Sequence, residues 1–145
     1  MKTTIRTIVV GMTLCVAISA SAQGTKALLL FGDREHKTFL GCLNCGEVSA
    51  VSVCNEVGKY GSEVAENSIW NEVGTYGSEV SPVSPWNEIS TTAPIIVDND
   101  GNSYGYFSAN IVHHDRTRIR WLVEILDYYD KTNDLEKTRK MMCDD

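Results

Sequence analysis

The chain has 145 residues, with 13 Lys and Arg against 19 Asp and Glu and a formal net charge of −6 at pH 7. Such an acidic chain is a poor match to nucleic acid, whose binding rests on neutralising phosphates, and to anionic membrane surfaces. Its length suits one domain, and its charge mainly favours solubility.

Residues 1–22 read as a secretory signal. Lys2 and Arg6 open it, and Ile8–Ile18 is an apolar run well short of the roughly 20 residues that cross a bilayer. Ala20-Ser21-Ala22 has the small-residue form of a cleavage site. The mature chain is therefore expected to begin at Gln23 and to form a single domain over 23–145. It would be secreted or periplasmic, with no membrane insertion after cleavage. Residues 23–47 hold a hairpin and a cysteine motif. Lys26–Phe31 and Lys37–Leu40 are its strands, Gly32–Glu35 its turn, and His36 an exposed residue at its rim.

Cys42, Cys45, Cys54 and Cys143 follow the signal. An even number of cysteines in an exported chain favours disulfides. A zinc site wants two Cys-x2-Cys pairs, and one is present. A thioredoxin-type pair wants a helix start within a βαβ unit, which Leu43-Asn44 does not offer. Sequence alone does not choose among the three pairings. The expected one joins Cys143 to Cys42 or Cys45 and leaves Cys54 to the other.

The dominant feature is a tandem repeat over 48–91. It reads VSAVSVCNEVGKYGSE from Val48, VAENSIWNEVGTYGSE from Val64 and VSPVSPWNEIST from Val80, a spacing of 16 residues, and ten of the sixteen positions match between the first two copies. The recurrent Gly and Asn break any helical period and favour turns. Each copy is expected to be a strand–turn–strand–turn unit, with extended pieces around Val51–Asn55 and Val57–Tyr60. One unit buries little alone, so neighbours should stack. Stacking would place Asn55, Asn71 and Asn87 in one column, Ser52, Ser68 and Ser84 in another, Tyr60 and Tyr76 in a third, and Trp70 and Trp86 in a fourth. Cys54 takes the tryptophan slot of the first copy and should point inward. A two-sided solenoid and a meander of hairpins share this period.

Residues 93–110 form a second hairpin signal. Pro94–Val97 and Ser103–Ser108 flank Asp98-Asn99-Asp100-Gly101-Asn102, and Asp-Gly is a strong hairpin turn pair. Asp98, Asp100 and Asn102 also have the spacing of a calcium loop. However, Ser103 and Ala109 stand where an EF-hand needs Gly and Glu, so a plain turn is expected and neither metal nor cofactor is assigned.

The helical tail covers 115–143. Arg116–Tyr129 should be a helix capped by Asp115 or Thr117, with Ile119, Leu122, Val123, Leu126 and Tyr129 on one face. Arg116, Arg118 and Arg120 oppose the helix dipole and would be balanced by Glu56, Glu72 or Glu88. A last helix should run from Leu135 to Met142 behind Asn133 or Asp134. His113 and His114, adjacent on an extended segment, would point to opposite faces.

The expected fold is thus mainly β, of the α+β class. Short stacked sixteen-residue strand–turn repeats are flanked by β-hairpins, and a C-terminal amphipathic helix packs on the β-layer.

The run Phe39-Leu40-Gly41-Cys42-Leu43-Asn44-Cys45, followed by repeats carrying Tyr-Gly-Ser and Ser-Ile-Trp-Asn, resembles a group of small bacterial secreted or surface proteins with tandem repeats. In that group a strand–turn–strand and a short helical tail follow the repeats. The resemblance spans nearly all of the mature chain. It implies export and names no chemistry. This chain departs from the Ser-rich repeats of the group at Val64-Ala65-Glu66-Asn67 and truncates its third copy after Ser90.

Three function classes are carried forward, and no catalytic residue is assigned. The leading one is a non-enzymatic module, disulfide-stapled, whose repeat face meets a protein or glycan through Tyr60 and Tyr76. Nothing in the sequence sets its oligomeric state. The second is a small hydrolase using His113 or His114 with Asp115 or Asp33. The third is a metal-binding protein using the cysteines or Asp98 and Asp100.

Overall fold

A computed structural model describes residues 24–144; the expected signal segment lies outside them. The order of elements is β1 (Leu29–Gly32), β2 (Thr38–Cys42), β3 (Ile95–Val97), β4 (Ser103–Tyr106), α1 (Arg120–Thr132) and α2 (Leu135–Cys143). Both expected hairpins form, and they belong to one sheet of order β2-β1-β3-β4. β1 pairs antiparallel with β2 on one side and with β3 on the other. The repeat region is therefore a long insertion between two hairpins of a single antiparallel sheet. The class is α+β.

The strand content expected inside the repeats is corrected. Among the described residues no named strand falls between Cys42 and Ile95, and the segment is a chain of turns. Backbone bonds explain why. The N–H of Asn55 goes back to the carbonyl of Ser52, Gly58 to Asn55, Ala65 to Ser62, Ser68 to Ala65, Asn71 to Ser68 and Gly74 to Asn71, at 2.8–3.4 Å. Once per copy the step lengthens by one residue, from Ser62 to Gly58 and from Ser78 to Gly74 at 3.0 and 3.1 Å. Four steps of three residues and one of four complete the sixteen-residue period. A residue bonded to its own chain three places back cannot also be extended in a ladder.

The corner side chains close what these turns leave open. Ser52, Ser68 and Ser84 accept through Oγ from the N–H two residues on, at 3.0, 3.1 and 3.2 Å. Asn55, Asn71 and Asn87 do the same through Oδ1 for Val57, Val73 and Ile89. Their Nδ2 groups reach back to the carbonyls of Ser49, Ala65 and Ser81 at 3.1, 3.2 and 3.0 Å. These are the local bonds that make Ser and Asn turn residues. Gly61 and Gly77 are required by close approach: a Cβ there would lie 2.2 and 2.1 Å from the carbonyl oxygens of Asn55 and Asn71.

The turn chain ends for a readable reason. One period after Gly77 stands Ala93, and one period after Ser78 stands Pro94. Proline has no N–H to close the four-residue step, and the chain leaves for β3. Asn110 then supplies another corner from after the second hairpin. Its Oδ1 accepts from Val112 N at 3.1 Å and its Nδ2 donates to Ser90 O at 2.9 Å.

Contacts between copies run through the indoles. Trp70 Nε1 donates to Val53 O at 2.7 Å, and Trp86 Nε1 donates to Ile69 O at 2.5 Å. Both donors sit 17 residues after their acceptors. The two rings are stacked, with centroids 5.4 Å apart. The next carbonyl in this series, Pro85 O, accepts the backbone N–H of Ala109 at 2.7 Å. At the other end Val53 N donates to Cys42 O at 3.1 Å, at the tip of β2.

α1 begins at Arg120 rather than Arg116, with Ile119 at its N-cap and no side-chain cap. Asp115 and Thr117 are instead tied to β4 through backbone bonds to Tyr106. Leu122, Ile125, Leu126 and Tyr129 are its buried face, and Tyr129 lies 4.9 Å from Trp86 between ring centroids. The helix packs against the indole side of the repeats. α2 is capped by Asp134, which accepts from Lys137 N at 2.9 Å. The arginines of the first helix do not meet the repeat glutamates. Arg116 pairs with Asp127 and Arg120 with Glu124. The arginine that does so is Arg139, on α2.

Two disulfides are present, and their pairing corrects the expected one. Cys42 bonds Cys45, with Cα atoms 5.5 Å apart, and Cys54 bonds Cys143, with Cα atoms 5.4 Å apart. Cys54 does point inward. Where the later copies place indoles, the first places a sulfur that reaches the end of α2. Cys42 and Cys45 meet each other because the chain turns sharply after β2.

In the chain-entropy view a bond spanning 89 residues stabilises by roughly 4–5 kcal/mol and one spanning 3 by roughly 2 kcal/mol. Replacing Cys54 and Cys143 with Ala should therefore lower the melting temperature more than replacing Cys42 and Cys45. Thermal unfolding of the two double variants checks this, and the reverse order contradicts it.

Candidate interaction surface

The tyrosine column divides. Tyr76 is buried at 7% exposure and lies against Gly32 and Leu40 of the sheet, where a Cβ on Gly32 would come within 2.8 Å of its ring. Tyr60 is half-buried, edge-on to Phe39 at 4.9 Å. Both rings join the repeats to the β1–β2 hairpin.

The histidines, by contrast, are brought together. His36, His113 and His114 are the three in the chain, and Tyr106 lies 5.4, 4.5 and 6.5 Å from them between ring centroids. His113 and His114 do not face opposite ways. Their rings stack at 5.1 Å with planes 11° apart, because the segment is a turn and not extended. His114 pairs with Asp115 at 2.8 Å in an exposed position. His113 is buried, and neither ring nitrogen has a hydrogen-bond partner among the described residues. Burial pushes its imidazole below the ordinary histidine range, and the nearby Thr91 backbone opposes this in part. Asp33, the other acid considered with these histidines, is held in the β1–β2 turn by Thr38 Oγ1 and Glu35 N, both at 2.6 Å.

The Asp98 loop closes on a lysine. The Asp98 carboxylate is buried and accepts from Asn102 Nδ2 at 2.8 Å, from the N–H groups of Asp100 and Asn102 at 2.9 Å, and from Tyr104 Oη at 2.9 Å. Lys26 Nζ sits between Asp98 and Asp100 at 3.1 and 2.8 Å. The ammonium thus stands where a calcium reading would put the ion. Hydrogen bonding from Asn102 above all, with Tyr104 and Lys26 adding to it, holds the Asp98 carboxyl well below the usual carboxylate range. No group of three or more His, Cys, Asp or Glu among the described residues is arranged to hold a metal.

What the structure adds is a periodic surface. Three open grooves recur at the same place in the three copies. The first lies between Glu47-Val48 and Glu56-Val57 over Cys54, the second between Glu63-Val64 and Glu72-Val73 over Trp70, and the third between Glu79-Val80 and Glu88-Ile89 over Trp86. Their volumes are about 420, 360 and 360 Å³. The aliphatic residues on their walls are 79–95% exposed. Six large apolar side chains are thus presented at a fixed period, a regularity that scattered surface exposure does not produce. The signal was available as the recurring Glu-Val pair. A strand reading of the repeats assigns such valines to a buried face and so hides it.

Arg139 enters this surface from α2. Its guanidinium donates to Gly61 O at 2.8 Å and approaches Glu63 and Glu56 at 3.3 and 3.4 Å. In the next copy Asn133, after α1, donates to Glu79 at 3.2 Å. Glu72 and Glu88 have no ion pair or side-chain bond among the described residues. The Tyr129 hydroxyl is pushed up to about 12, chiefly by burial and then by the charges of Glu79, Glu88 and Glu72.

No family model, curated protein or solved structure matches this chain.

The Asp98 cluster yields a pH-dependent expectation. A carboxyl with a depressed folded-state pKa stabilises fully above its unfolded value, about 4, and loses that contribution as the pH falls toward the folded value. Asp98→Asn should lower the melting temperature at pH 7, with a deficit that narrows below about pH 4. A deficit that stays constant from pH 7 to pH 3 contradicts the assignment.

Proposed function

We propose that the protein is an exported, disulfide-stapled, non-enzymatic module whose repeats stack as a solenoid of turns and present their Glu-Val grooves to a protein partner. The observation that carries this reading is the period of the surface: the same two acid–aliphatic pairs border a groove in all three copies. The indole-to-carbonyl bonds between copies support the stacking. Export rests on the signal-like start of the chain and on its resemblance to secreted repeat proteins. The two disulfides fit an oxidising compartment, and no helix among the described residues is long and apolar enough to cross a membrane. Tyr60 and Tyr76 are reassigned from partner contact to joining the repeats to the sheet.

A photo-crosslinking residue placed at Val73 should give discrete protein adducts in the envelope or medium of the source cells. The same residue at the exposed Asp130 of α1 should give none. Absence of adducts at Val73, or the same adducts at both sites, contradicts the reading.

A further inference from the structure

Building on that reading, we propose that the grooves take a cationic peptide, an extended segment that presents arginine and aliphatic side chains together on one face. The chain carries its own pattern for this ligand. Arg139 is 11% exposed at its side chain; its terminal nitrogens bond two glutamates and one glycine carbonyl, while its Nε has no partner among the described residues. One period later the two carboxylates recur as Glu72 and Glu79, both exposed, whereas Gly77, the counterpart of the glycine, is buried. There α2 supplies no arginine. Glu72 has no hydrogen-bond partner among the described residues, and Glu79 has only the Asn133 amide. A guanidinium from outside can therefore bridge Glu72 and Glu79 as Arg139 Nη1 bridges Glu56 and Glu63, in charge-assisted hydrogen bonds.

The neighbouring aliphatic side chains set the rest of the ligand. Val73 and Val80 flank these carboxylates and are 95% and 79% exposed, so the peptide should carry apolar side chains on the same face as its arginines. Charge decides against a second copy of the chain as the occupant. Face to face, two such surfaces would oppose glutamate to glutamate, which is repulsive. An uncharged glycan would cover the valines and leave the carboxylates unpaired as water is excluded, at a cost.

The test is fluorescence anisotropy on the purified, oxidised protein with a labelled twelve-residue Arg-Val peptide of repeating Arg-Ser-Val-Ser, which puts Arg and Val on one face when extended. Three comparisons accompany it: the Glu-Val counterpart, a neutral chito-oligosaccharide, and the variants Glu72→Gln/Glu79→Gln and Glu66→Gln. Glu66 is exposed and lines none of the three grooves, so it controls for net charge. The Arg-Val peptide should bind, the double variant should weaken it by roughly tenfold or more, and Glu66→Gln should bind like the wild type. These surface carboxylates support no buried contact, so an unchanged melting temperature is expected for both variants.

The proposal is overturned if the Glu-Val peptide or the oligosaccharide binds as tightly as Arg-Val, if Glu66→Gln weakens binding as much as the double variant, or if no peptide binds. Failure here alongside crosslinked adducts at Val73 would remove the cationic ligand and leave the interaction reading standing. Failure of both would remove the reading itself.

Discussion

A segment of consecutive turns has no ladder to absorb its polar groups, and buried N–H and C=O groups without partners cost about as much as a lost hydrogen bond. The repeat region meets this constraint with its own corner side chains. Ser68 and Asn71 each take the N–H two residues ahead, while their carbonyls take the N–H three residues ahead. The indole of one copy then donates to a carbonyl of the copy before it. Ser, Asn, Gly and Trp keep their places in the period because each answers a specific orphaned group or a specific close approach. At the end of the series the N–H of Ala109 takes the Pro85 carbonyl that a further indole would have taken, and at its start Val53 N is held by the carbonyl at the tip of β2.

The same constraint explains what could be read in advance. The sixteen-residue spacing, the inward position of Cys54, both hairpins and the two helices were all legible, because periodicity and turn chemistry are local signals. Strand content inside the repeats was not. Short Val-rich pieces between turn residues look extended, and only the backbone bonds reveal that each third residue closes on the one before. The joining of two hairpins into one sheet depends on a β1–β3 pairing across the whole insertion, and nothing local in Leu29–Phe31 announces it. The disulfide pairing failed for a related reason, since the turn after β2 brings Cys45 back to Cys42. The later start of α1 reflects tertiary override: Asp115 and Thr117 are drawn into bonds with Tyr106 and are lost to capping.

The surface follows from the architecture. Turns that aim Ser, Asn and Trp inward must aim the residues between corners outward, so each Glu-Val pair is presented whatever its hydropathy. Such exposure is costly in isolation and is held at a fixed period on a framework closed by Cys54–Cys143. Arg139 neutralises one acid pair from within, and the equivalent pair one copy later remains open to solvent.

Hydrogen exchange at the three indole N–H groups bears most directly on this arrangement. Trp70 and Trp86 are 2% and 0% exposed and bonded to backbone carbonyls, whereas Trp121 is 37% exposed on α1 and donates to no acceptor among the described residues. Two-dimensional NMR in heavy water should show the Trp70 and Trp86 signals persisting at the rate of global unfolding while Trp121 vanishes at once. Three indoles exchanging together, or Trp121 outlasting the other two, would contradict the inward indole column on which the repeats depend.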